Sequence, residues 1–143
     1  MSRIFVLFII LFSLNACSVQ PEAIDYGNEQ CAFCSMSIVD NRHAAQLVTE
    51  TGKQYKYDAI ECLIKDIENF NEPKLAHLLI ANYANPGEMI NAKEATYLIS
   101  TSIKSPMGAN LSGFVNKELG VNALNNNEGQ FYNWSAIKNE INK

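Results

Sequence analysis

At 143 residues the chain has room for one compact unit, or for two small halves sharing a core. Its composition, 48% hydrophobic and 18% charged with no low-complexity tract, is that of an ordinary globular protein. A formal net charge of −4 with unclustered basic residues leaves no electrostatic footprint for nucleic acid, and would not repel a small cation or a basic partner.

Residues 1–16 read as a targeting signal outside the fold. Arg3 supplies a short positive region, and the apolar run Ile4 to Phe12 falls far short of the roughly 20 residues that a spanning helix needs. The run ends in Leu14-Asn15-Ala16-Cys17, which resembles a bacterial lipoprotein box with Asn15 where a small apolar residue is usual. That resemblance implies that Cys17 becomes the lipidated first residue of a periplasm-facing lipoprotein, held in the outer or inner membrane of the cell envelope. The alternative is a soluble secreted protein whose Cys17 leaves with the signal. Residues 17–30, with little periodicity and with Pro21, Gly27 and Asn28, read as a tether. Mobility there extends to the motif that follows, which then orders around a bound ion.

That motif is Cys31-Ala32-Phe33-Cys34-Ser35-Met36, two thiols and a thioether within six residues. Thiolate suits both copper and zinc, and a thioether tilts the choice to Cu(I). A plain disulfide between Cys31 and Cys34, with Met36 as ordinary core, is the bland alternative. Once Cys17 carries lipid, Cys31, Cys34 and Cys62 remain. An odd thiol in an oxidising space needs burial or a ligand role, and Cys62, in an apolar helical pattern, takes burial.

Ala44 to Thr49 and Lys53 to Tyr57 form a hairpin about Thr51-Gly52, the second strand alternating tyrosines with polar residues. Asp58 stands as N-cap with Glu61 three residues on, and Ile60, Leu63, Ile64 and Ile67 recur at helical spacing until Pro73. Leu75 to Tyr83 is an apolar strand. After Asn85-Pro86-Gly87, strands are expected over Lys93–Thr101, Leu111–Val115 and Gly129–Tyr132, with a helical piece near Lys117–Leu119 and a closing helix from Ser135. The fold class is α+β: two similar ββαβ-like units, 31–84 and 85–143, packed as one compact domain.

An internal similarity supports the duplication. Gly52, Tyr55, Tyr57, Asp58, Ala59, Ile60 and Ile64 align without gaps to Gly129, Tyr132, Trp134, Ser135, Ala136, Ile137 and Ile141. With a loop insertion, Cys34-Ser35-Met36 lines up with Ser105-Pro106-Met107, so each copy offers a methionine before its hairpin. In an extended segment Cys34 and Met36 share one side. Packing the copies about a pseudo-twofold brings Met107 to the same ion, with Cys31 as fourth candidate. His43, in a polar turn, is a weaker ligand candidate, and His77, in an apolar run, reads as a strand residue. Met89 reads as packing or surface. Tyr55, Tyr57, Tyr132 and Trp134 read as sheet-face packing.

Enzyme chemistry finds little support. Ser35 breaks the order that covalent haem requires, and neither a Gly-rich phosphate loop nor H-E-x-x-H is present. A thioredoxin-like C-x-x-C would open a helix, whereas this one precedes the first confident element.

The lipobox, C-x-x-C-x-M, and the later Ser105-Pro106-Met107-Gly108 followed by Leu111-Ser112-Gly113-Phe114 together resemble the NosL family. The resemblance covers nearly all of the mature chain. It implies two ββαβ units and a non-enzymatic Cu(I) metallochaperone serving apo-nitrous oxide reductase, or another copper enzyme, with an ABC-type membrane complex. Cys34 and Met36 match the family's C-G-M core and Met107 its later methionine. Ser35 replaces the glycine, and Ala32 stands where some members place histidine, which leaves Cys31 and His43 as candidates for the remaining ligand. The competing functions are a periplasmic thiol–disulfide protein using Cys31 and Cys34, and a binding module for zinc or mercury.

Overall fold

Strand β1 (Ala45–Thr49) turns through Gly52, whose φ of +86° only glycine adopts at no cost, into β2 (Gln54–Tyr57). The register runs from Val48↔Gln54 at the hairpin tip to Ala45↔Tyr57 at the open end. Helix α1 (Ile60–Asp66) buries Ile60, Leu63 and Ile64, and a 3-10 turn at Ile67–Asn69 ends it before Pro73. Strand β3 (Leu75–Ala81) then returns antiparallel on the other side of β1. The computed structural model describes residues 18–143; the signal at 1–16 and Cys17 lie outside the described residues.

The second unit repeats this path. Strand β5 (Thr96–Ile99) pairs with β6 (Leu111–Phe114), helix α2 (Lys117–Leu124) follows, and β7 (Gln130–Tyr132) returns to the far side of β5. The sheet orders β2-β1-β3-β4 and β6-β5-β7 therefore share one ββαβ plan. Helix α3 (Trp134–Ile141) closes the chain and has no counterpart in the first unit, to which it is tied by the Trp134 and Lys138 bonds to Glu72. One core joins both units, with Leu47, Tyr57, Leu63 and Ile80 packed in the same cluster as Tyr97, Leu111, Trp134 and Ile137. The sheets pack tightly at Gly113, where a Cβ would collide with Ile80 and where the carbonyl accepts the Tyr83 N–H at 2.9 Å.

Three expectations are corrected. The two units share one strand plan, but topology pairs β2–α1 with β6–α2, whereas the aligned residues pair it with β7–α3. Both segments are an aromatic strand, a corner and an amphipathic helix, and that shared grammar imitates a repeat. Met36 therefore precedes β1 while Met107 lies inside the β5–β6 hairpin, and the two are not equivalent. Second, β4 (Met89–Asn91) pairs with β3, so the first sheet extends past 84 and Asn85-Pro86-Gly87 is a turn within it.

Third, the segment 18–30 is no free tether. It crosses the outer face of the first sheet as a strap whose bonds go mostly to side chains. Val19 O accepts His77 Nε2 at 2.8 Å, Gln20 O accepts Gln54 Nε2 at 3.1 Å, and Ala23 O accepts Lys56 Nζ at 2.8 Å. Gln46 Nε2 donates to Glu22 O at 2.9 Å and to Gln54 Oε1 at 2.8 Å. Beneath this cover Gln46 is 1% exposed, and β1 is buried on both faces.

Candidate metal centre

The strap leads directly into the cysteine motif. Cys31 N–H donates to Met36 O at 2.8 Å and Ser35 N–H to Cys31 O at 2.9 Å, while Gln30 and Ser37 form a bridge. Protein hydrogen bonds alone thus close the loop. The segment is not extended, because Ser35 takes φ +64°, in the left-handed region that glycine favours. A glycine at this position would adopt that conformation at no steric cost.

Across from the loop lies the corner between β2 and α1. Asp58 does not cap the helix: Ala59 occupies the N-cap and makes no side-chain bond. Asp58 is instead 2% exposed, its Oδ1 accepts the Cys34 S–H at 3.4 Å, and its Oδ2 has no partner. Cys62, in the first turn of α1, is buried beside it. Ligand atoms of Cys31, Cys34, Asp58 and Cys62 all lie within 4.8 Å of one another. A buried carboxylate oxygen without a partner is costly, and a cation among these groups would satisfy it.

The thiols differ in proton affinity. The Cys62 S–H donates to the Cys31 sulfur, and the amides of Cys34 and Asp58 add to this, holding the Cys31 thiol down to about 6 against burial and the Asp58 carboxylate. Burial pushes the Cys34 thiol up, assisted by Cys31 and Asp58. Cys62, donating to Cys31 and buried beside Asp58, is pushed far up. The centre therefore offers one thiolate near neutrality, and the other thiols would release their protons to an incoming ion.

Glu61 ties the second unit to this centre. Its Oε1 accepts the Ser105 hydroxyl at 2.5 Å and the Ala109 N–H at 3.3 Å, while its Oε2 is buried without a partner. Ser105 and Ala109 bracket Pro106-Met107-Gly108, so the methionine turn is docked on α1 at the residue preceding Cys62. Met107 is 38% exposed, Met36 51% and Phe33 43%.

The structure thus brings Cys31 and Cys34 together and leaves the two methionines exposed, Met36 on the same loop and Met107 on the docked turn. Asp58 and Cys62 join the thiols, which sequence reasoning missed. The odd cysteine count was the available signal. His43 is engaged elsewhere: its Nδ1 meets Asp40 Oδ2 at 2.8 Å and its Nε2 meets Ser112 Oγ at 3.2 Å, a buried link between the units. His77 serves the strap, and Met89 lines a cleft beneath it with Pro21, Ile24 and Leu79.

Fold and site together define a two-sheet α+β protein with a candidate metal centre of three cysteines and an aspartate. The family model of NosL matches residues 23–142, and the chain belongs to the NosL family. Its fold is similar to the crystal structure of the copper chaperone NosL from Shewanella denitrificans, at TM-score 0.68 and 20% identity, over 82% of this chain and 94% of that one. No curated protein matches the chain.

Proposed function

We propose that this protein is a Cu(I) metallochaperone without catalytic turnover, anchored by lipid on Cys17 at the periplasmic side of the cell envelope. Its cargo passes to an extracytoplasmic copper enzyme, nitrous oxide reductase being the client suggested by family, with an ABC-type membrane complex as a further partner. The observation that carries the reading is the cluster of Cys31, Cys34, Asp58 and Cys62, with an exposed thioether, Met36, on the same loop and another, Met107, on the turn docked at Glu61. Cys34, Met36 and Met107 form the proposed open soft-donor site, with Cys31 as the fourth ligand. Asp58 and Cys62 provide a deeper reserve.

Transfer proceeds by ligand exchange. A partner's soft ligand displaces the exposed thioethers first, and Cys34 lets go last. Thioethers bind weakly enough to keep the ion labile, while the thiolate keeps it from being lost to solvent. The acidic chain does not oppose the cation. A thiol–disulfide function has one point in its favour, the lowered Cys31 thiol, but Cys31 is buried, and thiol exchange needs access.

The test is an anaerobic Cu(I) competition titration on the reduced chain starting after Cys17. One-to-one binding that weakens in both Met36→Ala and Met107→Ala is expected. Binding untouched by either change, with activity lost only in Cys31→Ser, would replace this reading with the redox one.

A further inference from the structure

The strap fixes more than the route of the chain. The register places Gln54, Val48 and His77 in one row beside the β1–β2 tip, and Lys56, Gln46 and Leu79 in the next row inward. Val19 and Gln20 bond in the first row and Ala23 in the second. Ala32 N–H then donates to Lys56 O, and Cys34 reaches Asp58 just beyond the open end. The chain therefore enters at the hairpin tip and reaches the thiols at the opposite end of the sheet. From Gln54 to Asp58 this is about 13 Å at the usual strand rise.

Only Ser18 separates Val19 from Cys17. An extended chain spans at most about 3.3–3.6 Å per residue, so a group attached at Cys17 lies within roughly 10 Å of the strap's first bond. The seat is built into the fold, since Gln46, 1% exposed beneath the strap, donates one amide bond to Glu22 O of the strap and the other to Gln54 Oε1 on β2. The tip, Glu50-Thr51-Gly52-Lys53, is polar and suits a headgroup layer rather than the hydrocarbon.

We infer that the lipidated protein stands on its β1–β2 tip against the phospholipid headgroups, with the Cys31–Met36 loop facing away from the bilayer. This rests on lipid attachment at Cys17, which belongs to the function proposed above. The anchor then acts as a mount and not a leash. Orientation is set by the strap, and the thiol end is presented to a client arriving from the aqueous side.

The test uses the full, lipidated chain in phosphatidylethanolamine/phosphatidylglycerol vesicles carrying a nitroxide-headgroup lipid as short-range quencher. A dye is placed through a non-cysteine chemistry at Thr51 or at Phe33. Quenching several-fold stronger at Thr51 is expected, and a long Gly/Ser linker inserted between Ser18 and Val19 should erase the difference. Equal quenching at both positions, or stronger quenching at Phe33, overturns the inference. So does an intact mass without lipid on Cys17, an outcome that leaves the copper titration of the soluble chain unaffected and so separates the two failures.

Discussion

The two units solve the same corner differently. In each, a strand ends, two residues turn the chain, and a helix begins, so Tyr57-Asp58-Ala59-Ile60 corresponds to Phe114-Val115-Asn116-Lys117. In the second unit Asn116 is a true N-cap whose side chain accepts the Leu119 N–H, and Val115 is 48% exposed. In the first, the cap position is a buried alanine, and the preceding residue is a buried aspartate with an unpartnered oxygen. Cys62 stands where the second unit has Leu119. The first unit gives up an ordinary stabilising feature for a strained polar one, as expected where a site has been placed on a repeated scaffold.

The sharpest way to test that difference is Asp58→Asn, which keeps the volume and removes the charge. If the aspartate is there for a cation, Cu(I) affinity falls on the order of 10–100-fold, the range for groups that support a metal site. The midpoint of thermal unfolding without metal should hold or rise, because a buried charge has been removed. A large fall in metal-free stability with unchanged affinity would make the corner a structural feature.

Glu61 links the two units, and its removal asks whether Met107 depends on that link. Glu61→Ala should weaken Cu(I) binding by about tenfold, or ~1.4 kcal/mol. The double variant with Met107→Ala should bind no worse than Met107→Ala alone, since both changes remove one docked ligand. Fully additive losses in competition titrations would show that Glu61 acts on the thiols instead.

In the second unit the corner is predicted to matter for stability only. Asn116→Ala should cost about 1 kcal/mol in denaturant unfolding, the usual value of a lost N-cap, and leave metal affinity unchanged. A metal effect there would break the assignment of chemistry to the first unit.

These contrasts also explain what was legible in the sequence. Alternating tyrosines marked β2 and the Ile60-Leu63-Ile64 spacing marked α1, because one buried face per element leaves a period in the chain. Asp58 was misread because a residue just before a helix looks the same whether it caps or turns inward. Cys62 is buried as its apolar helical pattern implies, but the face that packs the core also points into the site, so its place among the thiols was not legible. The strap left no period at all. Its carbonyls bond to Gln46, Gln54, Lys56 and His77, side chains distant in sequence whose polar character reads as solvent exposure. The Cys31–Cys34 motif was plain from residue chemistry alone, while its fold around Ser35 was not.

Ser35 allows the smallest of the tests. The turn that carries Met107 uses Gly108 at φ +83°, whereas the loop that carries Met36 puts serine at φ +64°. A non-glycine residue there costs roughly 1–2 kcal/mol, and glycine returns about 0.5–1 kcal/mol of that as chain entropy. Ser35→Gly should therefore stabilise the protein by at most about 1.5 kcal/mol, seen as a small rise in the denaturant midpoint. Because the hydrogen bonds from Cys31 and Ser35 already hold the loop, Cu(I) affinity should stay within about twofold, or ~0.4 kcal/mol. A larger loss of affinity would mean that the serine keeps the thiols and Met36 in register, and that the first unit is strained at its loop as well as at its corner.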